Sequence, residues 1–147
     1  MLLQLYNTLI LPYLSYCNMI WTAASESLLN KLQVLQKKAV RIVNKSALRA
    51  HTDPLFNKFQ LLKLKQIRHF QILGFMYKFT HGLLPAGFKD YFCTQTDIHT
   101  YNTRTASLSA LGISFARTNR RKKSPRIIGP YLWNDFTPKY LTVTISC

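Results

Sequence analysis

The stretch Glu26-Ser27-Leu28-Leu29-Asn30-Lys31-Leu32-Gln33-Val34-Leu35-Gln36-Lys37-Lys38-Ala39-Val40-Arg41-Ile42-Val43 decides the fold class. Leu28, Leu32, Leu35, Ala39 and Ile42 recur at spacings of 4, 3, 4 and 3, the period of one helix face. Ser25 stands where an N-cap belongs and Glu26 puts an acid in the first turn, so a helix over about 26–44 is expected, with that apolar row turned inward. The other face carries Asn30, Gln33, Lys37 and Arg41, with Lys31 and Lys38 to one side and Lys45 beyond the end. No acid stands four residues from any of these cations, so they are not neutralised within the helix. Two readings of this face stand side by side: an ordinary solvated surface, or a surface that meets phosphate.

Upstream, 17 of the first 24 residues are apolar or aromatic and no charge precedes Glu26. Gln4, Asn7/Thr8, Pro12, Ser15, Asn18 and Thr22 form one mildly polar stripe, which favours a buried helix that Pro12 kinks or restarts. A basic membrane-associated protein anchored by residues 1–24 is the alternative, since the length permits a span. A secretory signal is opposed by the lack of a basic leader, because Met1 runs straight into Leu2-Leu3.

Downstream, Asp53-Pro54 marks the start of a short helix with Leu55, Phe56 and Phe59 on its apolar side. A helix from about Leu64 to Thr80 is apolar around most of its circumference and should lie centrally, until Gly82 and Pro85 stop it. The run Phe75, Met76, Tyr77 and Phe79 within it is expected in the core rather than in a cofactor pocket. Residues 87–92 read as a helical turn, 94–109 as irregular, Leu111–Phe115 as a brief strand, and Ser124-Pro125 as the start of a helix reaching about Asp135. The expected fold is mainly α: a helical bundle followed by a smaller α plus irregular C-terminal region with one or two short strands. Its regions are 1–48, 49–92 and 93–147.

Composition bounds the function. The 147 residues hold 20 Lys and Arg against 5 Asp and Glu, a net charge of +15, with 48% apolar content that is ample for a core. An anionic partner follows, most economically nucleic acid, with an acidic membrane surface or acidic protein as weaker readings. Cys17, Cys93 and Cys147 are odd in number and widely spaced, which points to a reducing compartment, nucleus or cytoplasm. The histidines are scattered singly, so no metal site is expected, and no cofactor motif is present. Glu26, Asp53, Asp90, Asp97 and Asp135 offer no adjacent pair for two-metal chemistry, and no catalytic motif accompanies them. Arg117, Arg120, Arg121, Lys122, Lys123 and Arg126 place six cations in ten residues. This cluster reads as a phosphate contact, a solvated loop or a nuclear-import signal.

Several segments resemble, in order, one family. Leu5-Tyr6-Asn7, then Leu9-Ile10-Leu11-Pro12-Tyr13-Leu14-Ser15-Tyr16-Cys17 and Trp21, resemble the thumb that follows the catalytic palm in jockey and CR1-like non-LTR (LINE) retrotransposon reverse transcriptases. Leu35-Gln36-Lys37-Lys38-Ala39-Val40-Arg41-Ile42 is similar to its basic thumb helix, followed by His51-Thr52-Asp53-Pro54-Leu55-Phe56. Phe75-Met76-Tyr77-Lys78-Phe79, Leu83-Leu84-Pro85, Tyr101-Asn102-Thr103-Arg104 and Gly129-Pro130-Tyr131-Leu132-Trp133-Asn134 complete the series, over about residues 2–141.

The resemblance implies a thumb-like region over 1–48, a post-thumb region over 49–92 and a basic C-terminal region over 93–147. The family's RNA-directed DNA polymerase site is an aspartate pair upstream of the matched part; this sequence contains no Asp-Asp, so no polymerase activity is expected. The expected partners are the RNA or DNA backbone and the palm and fingers of a polymerase. Lys31, Lys37, Lys38, Arg41 and Lys45 would hold phosphates, and Arg104 with Arg117, Arg120, Arg121, Lys122, Lys123 and Arg126 would contact RNA or target DNA. Tyr101 and Phe115 are expected in the core, with base stacking as the alternative. The ending Leu141-Thr142-Val143-Thr144-Ile145-Ser146-Cys147 departs from the family's basic helical continuation, as a truncated or frame-broken copy would. A decayed structural product with no independent role is therefore the other expectation.

Overall fold

Pro12 has no N–H to give and its ring crowds the carbonyl four residues back, so a regular helix cannot run through it. In the computed structural model of the chain, which describes residues 1–94 and 110–140, α1 (Leu2–Leu5) gives way to a π turn over Tyr6–Ile10. That turn closes with Leu11 N–H on the Tyr6 carbonyl, and α2 (Leu11–Ser15) begins afresh with Pro12 in its first turn. A second break follows at Cys17, which takes left-handed backbone at φ +48°, before α3 (Asn18–Trp21). The helix expected to kink or restart at Pro12 does restart there, and the break at Cys17 was not expected. The polar stripe explains how the breaks are tolerated. Buried Asn18 donates through Nδ2 to the Leu14 carbonyl at 2.7 Å, the Thr22 hydroxyl donates to the Asn18 carbonyl, and Trp21 Nε1 donates to the Tyr16 carbonyl at 2.7 Å. The first continuous helical run ends at Ser15, short of the roughly 20 residues a bilayer requires. Among the described residues no helix is long and apolar enough to cross a membrane.

Helix α4 (Glu26–Val43) forms where its periodicity places it, but Ser25 does not cap it with its side chain; that hydroxyl meets Ser27 Oγ at 3.1 Å instead. Its buried face is also not the expected one. Leu28, Leu35 and Ile42 are 56%, 59% and 65% exposed, while Gln36 and Val40 are 2% and 0% exposed. Of the expected row only Leu32 and Ala39 pack inward, and Leu29, Gln36, Val40 and Val43 complete the buried face, in place of Leu28, Leu35 and Ile42 and each one residue along from a member of that row. Both rows are apolar at most positions, and hydrogen bonding separates them. Gln36 Nε2 donates to the Tyr6 hydroxyl at 3.1 Å and the Leu62 carbonyl at 2.9 Å, and its Oε1 accepts from Leu64 N–H at 3.1 Å. Burial pushes the Tyr6 phenol up, partly offset by the Gln36 amide.

Helices α5 (Asp53–Lys58) and α6 (Leu64–Thr80) begin where the sequence places them. The chain divides into two compact units, Met1–Phe70 and Gln71–Cys147, with the division inside α6. The first unit holds two clusters: Tyr6, Val40 and Phe56, joined by Ile10, Ala39 and Leu61, and Leu14, Leu64 and Ile67, joined by Trp21, Leu29 and Leu32. Three helices end in the same Schellman geometry. After α4, Ser46 N–H reaches the Arg41 carbonyl and Lys45 N–H that of Ile42; after α5, Leu61 and Gln60 repeat the pair on Phe56 and Asn57; after α6, Leu83 and Gly82 do so on Lys78 and Phe79. The left-handed residue is Lys45 (φ +53°), Gln60 (φ +52°) and Gly82 (φ +66°) in turn.

The second unit is built on aromatic edges. Phe75 meets Phe88 at 5.6 Å between ring centroids, and Phe92 meets Phe79 and Tyr91 at 4.9 Å each, in edge-to-face geometry. Met76 is fully buried, and Phe75 and Phe79 are partly so, as expected; Tyr77 instead lies outside, stacked on His81 at 4.0 Å. A short 3₁₀ turn (Ala86–Phe88) precedes this cluster, and α7 (Asn119–Lys122) and α8 (Pro125–Tyr140) close the described chain, α8 running beyond the expected Asp135. The expected strand at Leu111–Phe115 is a correction: among the described residues, pairing is an isolated antiparallel bridge between Thr94 and Leu111. Asn134 on α8 supplies the reason. Its Oδ1 accepts from Leu111 N–H at 2.9 Å and its Nδ2 donates to the Leu111 carbonyl at 2.8 Å, filling the backbone groups a second strand would take.

Candidate nucleic-acid interface

The cations of α4 do not form one stripe. Lys31 and Lys38, seven residues apart, are exposed on the same outer ridge as Leu28, Leu35 and Ile42. Lys37 and Arg41 are half-buried and turn toward the segment before α5. There Arg41 Nε donates to the Ala50 carbonyl at 2.9 Å, so this guanidinium also anchors the loop after α4. Asp53 sits in the same neighbourhood. Its carboxyl is held below its usual range first by a 2.9 Å ion pair with Lys63, with weaker help from Lys37 and His51. Lys45, exposed, sits past the helix end at the left-handed position.

The second cluster is more coherent. Arg117, Arg120, Arg121, Lys122 and Arg126 are exposed and Lys123 is half-buried, across α7 and the start of α8. Thr118 caps α7 by accepting from Arg121 N–H at 3.3 Å, which fixes the turn that presents the arginines. The Arg126 guanidinium lies 5.5 Å from the Tyr91 ring centroid, holding one cation of the set against the aromatic cluster. Phe115, two residues before Arg117, is 86% exposed, which corrects its expected place in the core. Leu111 and Ala116 to either side are both buried. Arg104 and Tyr101 lie outside the described residues.

A third cationic group escaped the sequence reading. Lys65, Arg68 and His69, at spacings of 3 and 1 on α6, line a cleft of about 330 Å³ with Thr22, Glu26, Leu29 and Gln33. Lys65 pairs with Glu26 at 3.4 Å. Burial is the main cause that lowers the His69 pKa, and the neighbouring positive charges of Arg68 and Lys65 lower it further. The i, i+3, i+4 spacing was visible, but α6 reads as apolar all round and hid it. Among the described residues no group of three or more His, Cys, Asp or Glu side chains gathers as a metal site. No protein-family model, curated protein or solved structure matches this chain.

Proposed function

We propose that this chain is a non-catalytic nucleic-acid-binding module that holds RNA or DNA through its phosphate backbone, in the manner of the reverse-transcriptase thumb and C-terminal region its segments resemble. The observation that carries this reading is the second cluster: five exposed cations between Arg117 and Arg126, with the exposed Phe115 two residues before the first of them. Cations displace condensed counterions from phosphates whatever the sequence, and an exposed aromatic ring stacks on unpaired bases. Lys31, Lys38 and Lys45 add exposed positive charge elsewhere. With no Asp-Asp in the sequence, the module binds and does not polymerise.

The test is a titration of the full chain with labelled single-stranded and duplex RNA and DNA, read by fluorescence anisotropy over a range of salt. Affinity is expected to fall steeply with salt and to depend little on base sequence. Replacing Arg120, Arg121 and Lys122 together by Glu should weaken binding at least tenfold. Lack of binding at low salt would overturn the reading.

A further inference from the structure

Helix α4 keeps an apolar row that the other described residues leave open. Leu28, Leu35 and Ile42 follow one another at intervals of seven residues, each more than half exposed, and Val34 is half exposed beside them. They run along a helix about 27 Å long, with exposed Lys31 and Lys38 set between the apolar side chains. The spacing 28, 31, 35, 38, 42 is the 3-and-4 alternation by which one helix meets another.

We infer that this ridge of α4 docks an acidic amphipathic helix of a partner protein, its leucines against Leu28, Leu35 and Ile42 and its carboxylates against Lys31 and Lys38. Charge selects this occupant. Residues 1–70 carry ten Lys and Arg against two acids, so a second copy would set lysine against lysine. Nucleic acid would meet the two lysines but leave three aliphatic side chains, which have no ring face for a base, against a hydrated backbone. A helix that offers leucine and glutamate at the same spacing satisfies both sets.

The probe is a labelled three-heptad peptide with Leu at every seventh position and Glu three residues after each Leu, on an alanine background, titrated against the full chain. A second peptide carries Lys in place of Glu. The Glu peptide should bind, and Leu35→Gln should weaken it at least tenfold without moving the melting temperature. The pair K31E/K38E should reverse the preference and take the Lys peptide, which reads the surface even where Leu35→Gln disturbs folding. Equal binding of both peptides, or of neither, would overturn the inference. So would a dimer in sedimentation that Leu35→Gln dissociates, which gives the ridge to a second copy. Weakened RNA or DNA binding on Leu28→Gln and Leu35→Gln would overturn it in favour of nucleic acid.

Discussion

Gln36→Leu keeps the size of the side chain and deletes three hydrogen bonds at once. The Leu62 carbonyl and Leu64 N–H then lose their partner, and a backbone group left buried and unsatisfied costs about 1–3 kcal/mol. Urea denaturation should show a loss of that size, while Tyr6→Phe, which removes the 3.1 Å bond alone, should cost about 0.5–1.5 kcal/mol. This is also where the sequence misleads. A binary pattern scores Gln36 as polar and assigns it to water, and only the unpaired groups of Tyr6, Leu62 and Leu64, remote in sequence, turn it inward. His69 makes the second prediction at this scale. Its folded pKa lies below the ordinary 6.5, so the unfolded chain takes up the proton first and the folded state loses stability as pH falls through 6.5 toward the folded value. The melting temperature should therefore drop between about pH 7.5 and pH 5.5, and His69→Gln should flatten that slope. An unchanged slope in the variant would assign the effect elsewhere.

Elements start where Pro, Ser, Asp and Gly signal, and end for reasons less visible. Gly82 announces the end of α6, but Lys45 and Gln60 occupy the same left-handed position without glycine's freedom. The left-handed conformation costs a non-glycine residue roughly 1–2 kcal/mol, partly cancelled by glycine's greater unfolded entropy. Gln60→Gly should therefore raise stability by about 0.5–1 kcal/mol in chemical denaturation. The opposite sign is expected at Gly129 on α8. A Cβ there would stand 2.6 Å from the Met76 sulfur, which is itself fully buried and has little room to retreat. Gly129→Ala should cost about 1–3 kcal/mol as overpacking, and shortening Met76 to alanine in the same chain should recover part of it. The helix at 26–43 was legible from its periodicity, those at 53–58 and from 125 onward from the prolines in their first turns, and that at 64–80 from a long apolar run stopped by Gly82 and Pro85. That Leu111 makes an isolated bridge and no strand was not legible, because a side-chain amide on a distant helix takes the place of a neighbouring strand.

Over the whole molecule the net charge of +15 argued for an anionic partner, and the fold divides that charge into sets with different neighbours. Lys37 and Arg41 are half-buried, with Arg41 bonded to its own chain, Lys31 and Lys38 share a ridge with leucines, and Arg117, Arg120, Arg121 and Lys122 are exposed shortly after the exposed Phe115. Spacing in the sequence showed that the cations cluster; which way each points depends on the roll of α4 about its axis, and that was set by Gln36. If the last set carries nucleic-acid binding, reversing Arg120, Arg121 and Lys122 should reduce the salt slope of log affinity by about 2–3, roughly one for each phosphate no longer neutralised. An unchanged slope would move the binding surface to another set. The bond between Gln36 and Leu64 has one more consequence, for amide exchange. The Leu64 proton is held by a side chain 28 residues away, whereas the neighbouring Lys63 proton is held by Gln66 in the same turn at 2.8 Å. Fraying at the start of α6 should free the second proton but not the first, which should exchange only when α4 lifts from the rest of the first unit. Two adjacent amides thus time two different events, the loosening of one turn and the opening of a core.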